Sequence, residues 1–418
     1  MTPRPPLPPG SDTDGLWLDD PAHRAWLADQ AARLLAFHRD SLDPAGGFHV
    51  LGLDGRPLAG AAQELHATTR MLHSFALGHL AGRGDCLGLV DHGMRYLDSH
   101  HRDRDHGGWL WGLQGKAVTD DRKLAYGHVF VLLAGSAAKM VGHPDADRLI
   151  AEATGVLWER FWEDGPGLFA DEWARDWTPF SDYRGMNANM HGVEALMAAF
   201  EATGQAVYLD RAGRIVDFFL RRMAPAHGWR IPEHYRADWT VDRGYSGNPM
   251  FRPPGVTPGH SFEWARLLLQ WWDLAGRPED GSVATARAIA EQAMAEGWDA
   301  GRGGIHYTLD FDGQPAIRAR YWWPVTEAIG VFASLLKLDP RPGDEAAYRR
   351  LWGFADAALI DHDRGGWYPE IDDAGRPTDH QFAGKPDIYH ALQACLFPLA
   401  PGLSRAGAGL AGLRPLAG

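Results

Sequence analysis

The sequence predicts an all-α protein, an (α/α)6 barrel of twelve helices in inner and outer rings with short β-hairpins in the connecting loops. Three observations lead there. A Gly followed by a short apolar or aromatic stretch recurs along the chain, at Gly47-Phe-His-Val, Gly108-Trp-Leu-Trp, Gly167-Leu-Phe-Ala, Gly228-Trp-Arg-Ile, Gly304-Ile-His-Tyr and Gly366-Trp-Tyr-Pro. The steps between these glycines are 61, 59, 61, 76 and 62 residues, one period with one longer copy. Between them lie paired segments of helical periodicity, and alternate segments begin with polar residues. Helix pairs repeated in this way cannot bury their apolar faces singly, whereas stacking buries them and closure into a ring leaves no end exposed. An open solenoid is the alternative; the absence of polar capping repeats favours closure.

In chain order, helices are expected near 21–40, 63–81, 86–100, 120–141, 145–162, 187–203, 206–223, 259–275, 283–297, 323–337, 344–360 and 387–398. Turn signals at Leu53-Asp-Gly55, Phe311-Asp-Gly313 and Asp373-Ala-Gly375 mark hairpins after the recurring strands. The barrel is expected to span 16–400 as one domain. A Pro-rich, polar leader over 1–15 is expected to be disordered, and a Gly/Ala/Leu-rich tail over 401–418 to be loose.

Composition narrows the function. Hydrophobic content of 45% with 18 Trp supports a sizeable core. A formal charge of −13, from 41 Lys+Arg against 54 Asp+Glu, argues against a nucleic-acid or anionic-membrane surface, and a neutral small substrate fits better. Cys86 and Cys395 are the two cysteines, too few for a disulfide framework, which suits a reducing compartment. With no run of about 18 apolar residues, a soluble cytoplasmic protein is expected, as monomer or homodimer.

The polar helix starts hold the candidate chemistry. They read Gln63-Glu-Leu-His66-Ala-Thr-Thr-Arg70, Tyr126-Gly-His128, Asn187-Ala-Asn189-Met-His191-Gly-Val-Glu194, His260-Ser-Phe-Glu263, Trp323-Pro-Val-Thr-Glu327 and Asp387-Ile-Tyr389-His390. The Pro/Gly-rich stretch from Arg252 to Gly259 must be loop, so a helix starts near His260 and places His260 and Glu263 on one face of its first turn. His191 and Glu194 repeat that spacing, and His390 adds a third imidazole. Two readings fit: a metal site, or acid/base work by imidazoles with Glu194 and Glu263 orienting them. The absence of a His-Glu-x-x-His run or an aspartate-rich cluster favours acid/base work with no metal and no cofactor. Arg70, alone in an apolar run, is read as facing substrate oxygens rather than as a structural ion pair. Trp109, Trp322 and Trp323 are core or the floor of a sugar cavity. His73, His79, His128 and His306 are read as structural.

These motifs together resemble the N-acylglucosamine 2-epimerase superfamily over essentially the whole chain, from Arg70-Met-Leu-His through Thr257-Pro-Gly-His-Ser-Phe-Glu-Trp to Lys385-Pro-Asp-Ile-Tyr-His. The resemblance implies an (α/α)6 barrel that acts on free sugars by metal-independent proton transfer at C2. It matches His260 and His390 to the acid/base pair, His191 to a third histidine assisting ring opening, and Glu263 to a supporting carboxylate. Arg70, Tyr126, Asn187 and Trp323 match substrate-holding positions, and Glu194 and Glu327 are grouped with them as polar residues of the same helix starts. Within the superfamily the chain looks closest to the mannose isomerase and sulfoquinovose isomerase branch. The sulfosugar enzymes carry a base where this chain has Met250, and favour Gln at Pro369 and Pro386, so a neutral hexose is implied. The expected activity is aldose–ketose isomerisation between D-mannose and D-fructose through an enediol(ate); the alternative is a mannose or cellobiose 2-epimerase. A glycoside hydrolase on the same barrel would need two carboxylates at cleavage spacing, where this chain repeats His-x-x-Glu.

Overall fold

The computed structural model describes residues 15–247, 250 and 252–417. The expected disordered leader falls outside the described residues except for Gly15. Twelve helices carry the barrel: α1 (Pro21–His38), α2 (Leu65–Leu80), α3 (Leu87–Tyr96), α4 (Ala125–Met140), α5 (Ala146–Val156), α6 (Met186–Thr203), α7 (Ala206–Val216), α8 (Pro258–Leu274), α9 (Ser282–Gly297), α10 (Trp322–Leu338), α11 (Pro342–Phe354) and α12 (Tyr389–Leu399). The even-numbered helices form the inner ring, each packed on the next, and α12 packs back on α2. The odd-numbered helices from α3 to α11 each cover the inner helix before them, while α1 covers α12. The two ends of the chain thus supply the sixth pair, and the solenoid alternative is excluded. Among the described residues, the small sheets of two to four strands do not themselves close into a barrel.

The inner helices are apolar almost all round, as elements enclosed by a second ring must be. In α10 every residue from Trp322 to Leu336 is buried. Helix boundaries follow local chemistry. Asp20 caps α1 by accepting from the Ala22 amide at 2.8 Å, with Pro21 in the first turn. Gly204, at φ 72°, takes the left-handed conformation that ends α6.

Three expectations need correction. The helix expected from 120 starts at Ala125, because Ala117–Asp120 is spent on a hairpin with Gly112–Gln114 and Lys123–Leu124 pairs with Glu172–Trp173. Four outer helices do not run on as α to their expected ends. They widen into π turns at Leu97–His101, Leu157–Phe161, Asp217–Met223 and Ala355–Leu359. The tail is not loose throughout, since α13 (Ala406–Leu413) buries Gly407 and Leu410 against the barrel.

After the outer helices comes the recurring glycine. In Asp103, Asp299 and Asp361 the side chain accepts from the two amides two and three residues on, bending the chain into the Gly-Gly pair that follows. Gly107, Gly303 and Gly365 then sit at positive φ, where a Cβ would strain the turn. A polar residue just before an inner helix reaches back to these turns. Lys123 Nζ binds Asp103 at 2.8 Å, and Lys385 Nζ binds Asp361 at 2.7 Å, both lysines being fully buried within the side chain. These ties fix where α4 and α12 begin, and the inner-helix starts are where the polar residues cluster.

Candidate active site

A cavity of about 470 Å³ opens where the inner helices start. Arg70 of α2, Tyr126 of α4, Asn187 and His191 of α6, His260 and Glu263 of α8, Trp323 of α10 and His390 of α12 all line it. Glu194 and Glu327 do not. Both are buried against side chains of other inner helices. Expected among the substrate-holding residues, each contacts other side chains: Glu194 meets Tyr389 and His191, and Glu327 meets His390 and Arg266. His73, His79, His128 and His306 are not part of the lining.

Three histidines of the lining, His191, His260 and His390, face a carboxylate through Nδ1. The His390 ring donates to Glu327 Oε1 at 2.8 Å. His260 Nδ1 lies 2.9 and 3.0 Å from the two oxygens of Glu233. His191 Nδ1 lies 3.4 Å from Glu194 Oε2 and 3.5 Å from Glu263 Oε1. A carboxylate on one ring nitrogen fixes the tautomer and leaves Nε2 to meet a substrate. Glu263 thus turns to His191 and not to His260, its neighbour on the same face, whose partner is Glu233. Glu233 stands in the extended segment before Tyr235, held by the pairing of Arg184–Gly185 with His234–Tyr235. It lies outside the polar helix starts, so periodicity could not single it out.

Beneath the histidines the charges are compensated. Arg266, buried on α8, binds Glu327 Oε2 through Nε at 3.0 Å and Nη2 at 2.8 Å, and stands 3.5 Å from Glu263. Tyr389 donates its hydroxyl to Glu194. Burial, and then the Glu327 charge, push Glu263 well above the usual carboxylate range, with Arg266 opposing them. Burial lowers His191 to about 3 and also lowers His390, which Glu327 partly opposes. Among the described residues, His191, Glu194 and Glu263 are the group whose donor atoms could converge on a cation, within 4.8 Å of one another. Arg266 already supplies positive charge there, so this donor set fits a metal poorly.

Trp323 lies against both outer histidines, with ring centroids 4.8 Å from His260 and 6.0 Å from His390. Trp322 also lines the cavity, whereas Trp109 is core. Arg70 donates to the Tyr126 hydroxyl at 2.8 Å and stands 3.5 Å from Asp387, so it is both paired and exposed to the cavity. Its guanidinium lies over the rings of Phe130 and Tyr389, at 4.5 and 4.7 Å. The Asn187 carbonyl oxygen is buried without a partner, as a group awaiting a hydroxyl would be. The lining thus joins two imidazoles with free Nε2 atoms, a third over a buried acid, an aromatic face and a cation. That set can move protons on a small polyhydroxy molecule.

The family model for N-acylglucosamine 2-epimerase matches residues 46–394. A D-mannose isomerase from Thermobifida fusca is 41% identical over 403 residues, covering 94% of this chain and 98% of the relative. A crystal structure of D-mannose isomerase superposes with a TM-score of 0.85 at 33% identity, covering 90% of this chain and 97% of that one. The cellobiose 2-epimerase of Spirochaeta thermophila DSM 6192 shares the fold at a TM-score of 0.80 and 22% identity, over 93% and 96% of the two chains. A family match over most of the chain, a relative matched almost end to end and a shared helical barrel agree: the chain belongs to the N-acylglucosamine 2-epimerase family.

Proposed function

We propose that this enzyme interconverts D-mannose and D-fructose by histidine acid/base catalysis. The observation that carries the reading is the pair of carboxylate-oriented imidazoles, His260 and His390, both beside Trp323 in one cavity. The 41% identity to a D-mannose isomerase supports the substrate. His191, backed by Glu263, assists opening of the sugar ring. One of the pair, His260 or His390, then removes the C2 proton, and Arg70 with Tyr126 stabilises the enediolate oxygen. Return of a proton at C1, with transfer of a proton between O1 and O2, gives the ketose. Return at C2 from the opposite face would give glucose, the outcome of a 2-epimerase.

The same chemistry needs no metal: the charge that develops on oxygen meets Arg70, and the buried carboxylates meet Arg266. Incubation with D-mannose and analysis of early product tests the reading. Fructose as the first product is expected, and glucose as the main early product would replace the isomerase with the epimerase.

A further inference from the structure

Glu64 ends the strand that leads into α2, and its carboxylate opens into the cavity. No step of the proposed reaction uses it. Its partners are the Trp111 indole and His66, whose Nδ1 lies 3.4 Å from Glu64 Oε2. His66 is held neutral, because burial and then Arg70 lower it well below the usual imidazole range.

The charges around Glu64 are otherwise balanced. Among the described residues of the lining, Arg70 is paired with Asp387 at 3.5 Å and Lys385 with Asp361 at 2.7 Å. Outside the lining, Arg122 grips Asp120 through Nε and Nη2, and Arg252 grips Glu172 at 2.9 and 3.2 Å. Glu64 therefore presents a carboxylate to the cavity with no cation of its own. A hydroxyl can donate to it in a charge-assisted bond, whereas an anion brought into the same enclosed space is repelled through low dielectric.

We infer that Glu64 is a specificity-determining residue, accepting a hydroxyl of an uncharged sugar and rejecting sugars that carry a carboxylate, sulfonate or phosphate. This rests on the sugar-isomerase reading above and adds the origin of its substrate class. Burial supports it by holding the Glu64 proton up to about 7, with Asp120 raising it and Trp111, Arg122 and Arg70 lowering it. The gate is then closed to anions above that pH and relaxed below it.

The test compares D-mannose with D-mannuronate, which differs by a C6 carboxylate that stays ionised throughout. The readout is the ratio of KM for mannuronate to KM for mannose, in the parent enzyme and in Glu64→Gln, at about pH 8 and about pH 6. Gln keeps the shape and the acceptor and removes the charge. The substitution should lower the ratio about tenfold at the higher pH. In the parent enzyme the ratio should also fall as Glu64 protonates, and in the variant it should be flat. A ratio moved less than about twofold by the substitution, or the same pH slope in both proteins, overturns the inference. Should the variant fail to fold, a parent ratio that does not fall with pH overturns it alone. If neither protein converts mannose, the isomerase reading fails instead, and the same ratio is read from the Kd values of the two sugars by tryptophan fluorescence.

Discussion

The Glu233–His260 and Glu327–His390 pairs share one geometry, a carboxylate on Nδ1, and differ in what stands behind the carboxylate. Glu327 comes from the neighbouring inner helix and its second oxygen is held by Arg266, so that pair is charge-compensated deep in the core. Glu233 comes from an extended segment between strands, gives both oxygens to His260, and pairs with no Arg or Lys among the described residues. The first carboxylate is tied into the core as well as to its histidine, and the second to its histidine alone.

Substitutions can break or sharpen this contrast. His390→Ala should lower kcat for mannose by roughly three orders of magnitude with circular dichroism unchanged. Intact turnover would remove the acid/base model. Arg266→Met should destabilise the fold by about 3–5 kcal/mol in denaturant unfolding, because Glu327 loses its buried counter-charge. Glu233→Gln should lower kcat about 10–100-fold with little change in stability, whereas Glu327→Gln should cost both. Equal stability losses for the two would erase the distinction.

The pH response is gentler. Burial lowers His191 to about 3 and His23, His73 and His101 to about 4 in the fold, against 6.5 for the free side chain. The unfolded chain therefore binds protons first as pH falls. Stability should be full above about 6.5 and decline from there toward about 4, which thermal melts across that range would show. The smallest expected effect is that of exhaustive chelation, which should leave mannose turnover unchanged; loss restored by one divalent metal would reopen the site of His191, Glu194 and Glu263.

His128 shows why residue type alone does not mark a site. It begins α4 beside Tyr126, yet its Nδ1 donates to the Leu124 carbonyl at 2.7 Å and its Nε2 accepts from the Trp109 amide at 3.2 Å. Both nitrogens are spent on structure, and the reading of His128 as structural agrees with that. Among the described residues, His191, His260 and His390 each keep Nε2 without a protein partner, a difference that lies in long-range contacts.

The amino-acid sequence by itself determined the repeat, the twelve helices and the helix starts that carry polar groups, because periodicity and turn chemistry act between near neighbours. It also carried the family resemblance, since motif residues keep their order along the chain. Only the tertiary structure decided which carboxylate meets which histidine. His260-x-x-Glu263 promised a pair on one helix face, but His260 at the cavity mouth meets Glu233, and Glu263 one turn deeper meets His191 and Arg266. The closure of the ring, the use of α1 to cover α12 and the charge balance around Glu64 were likewise settled in three dimensions. Burial makes each of these polar pairings necessary, and burial belongs to the folded barrel as a whole.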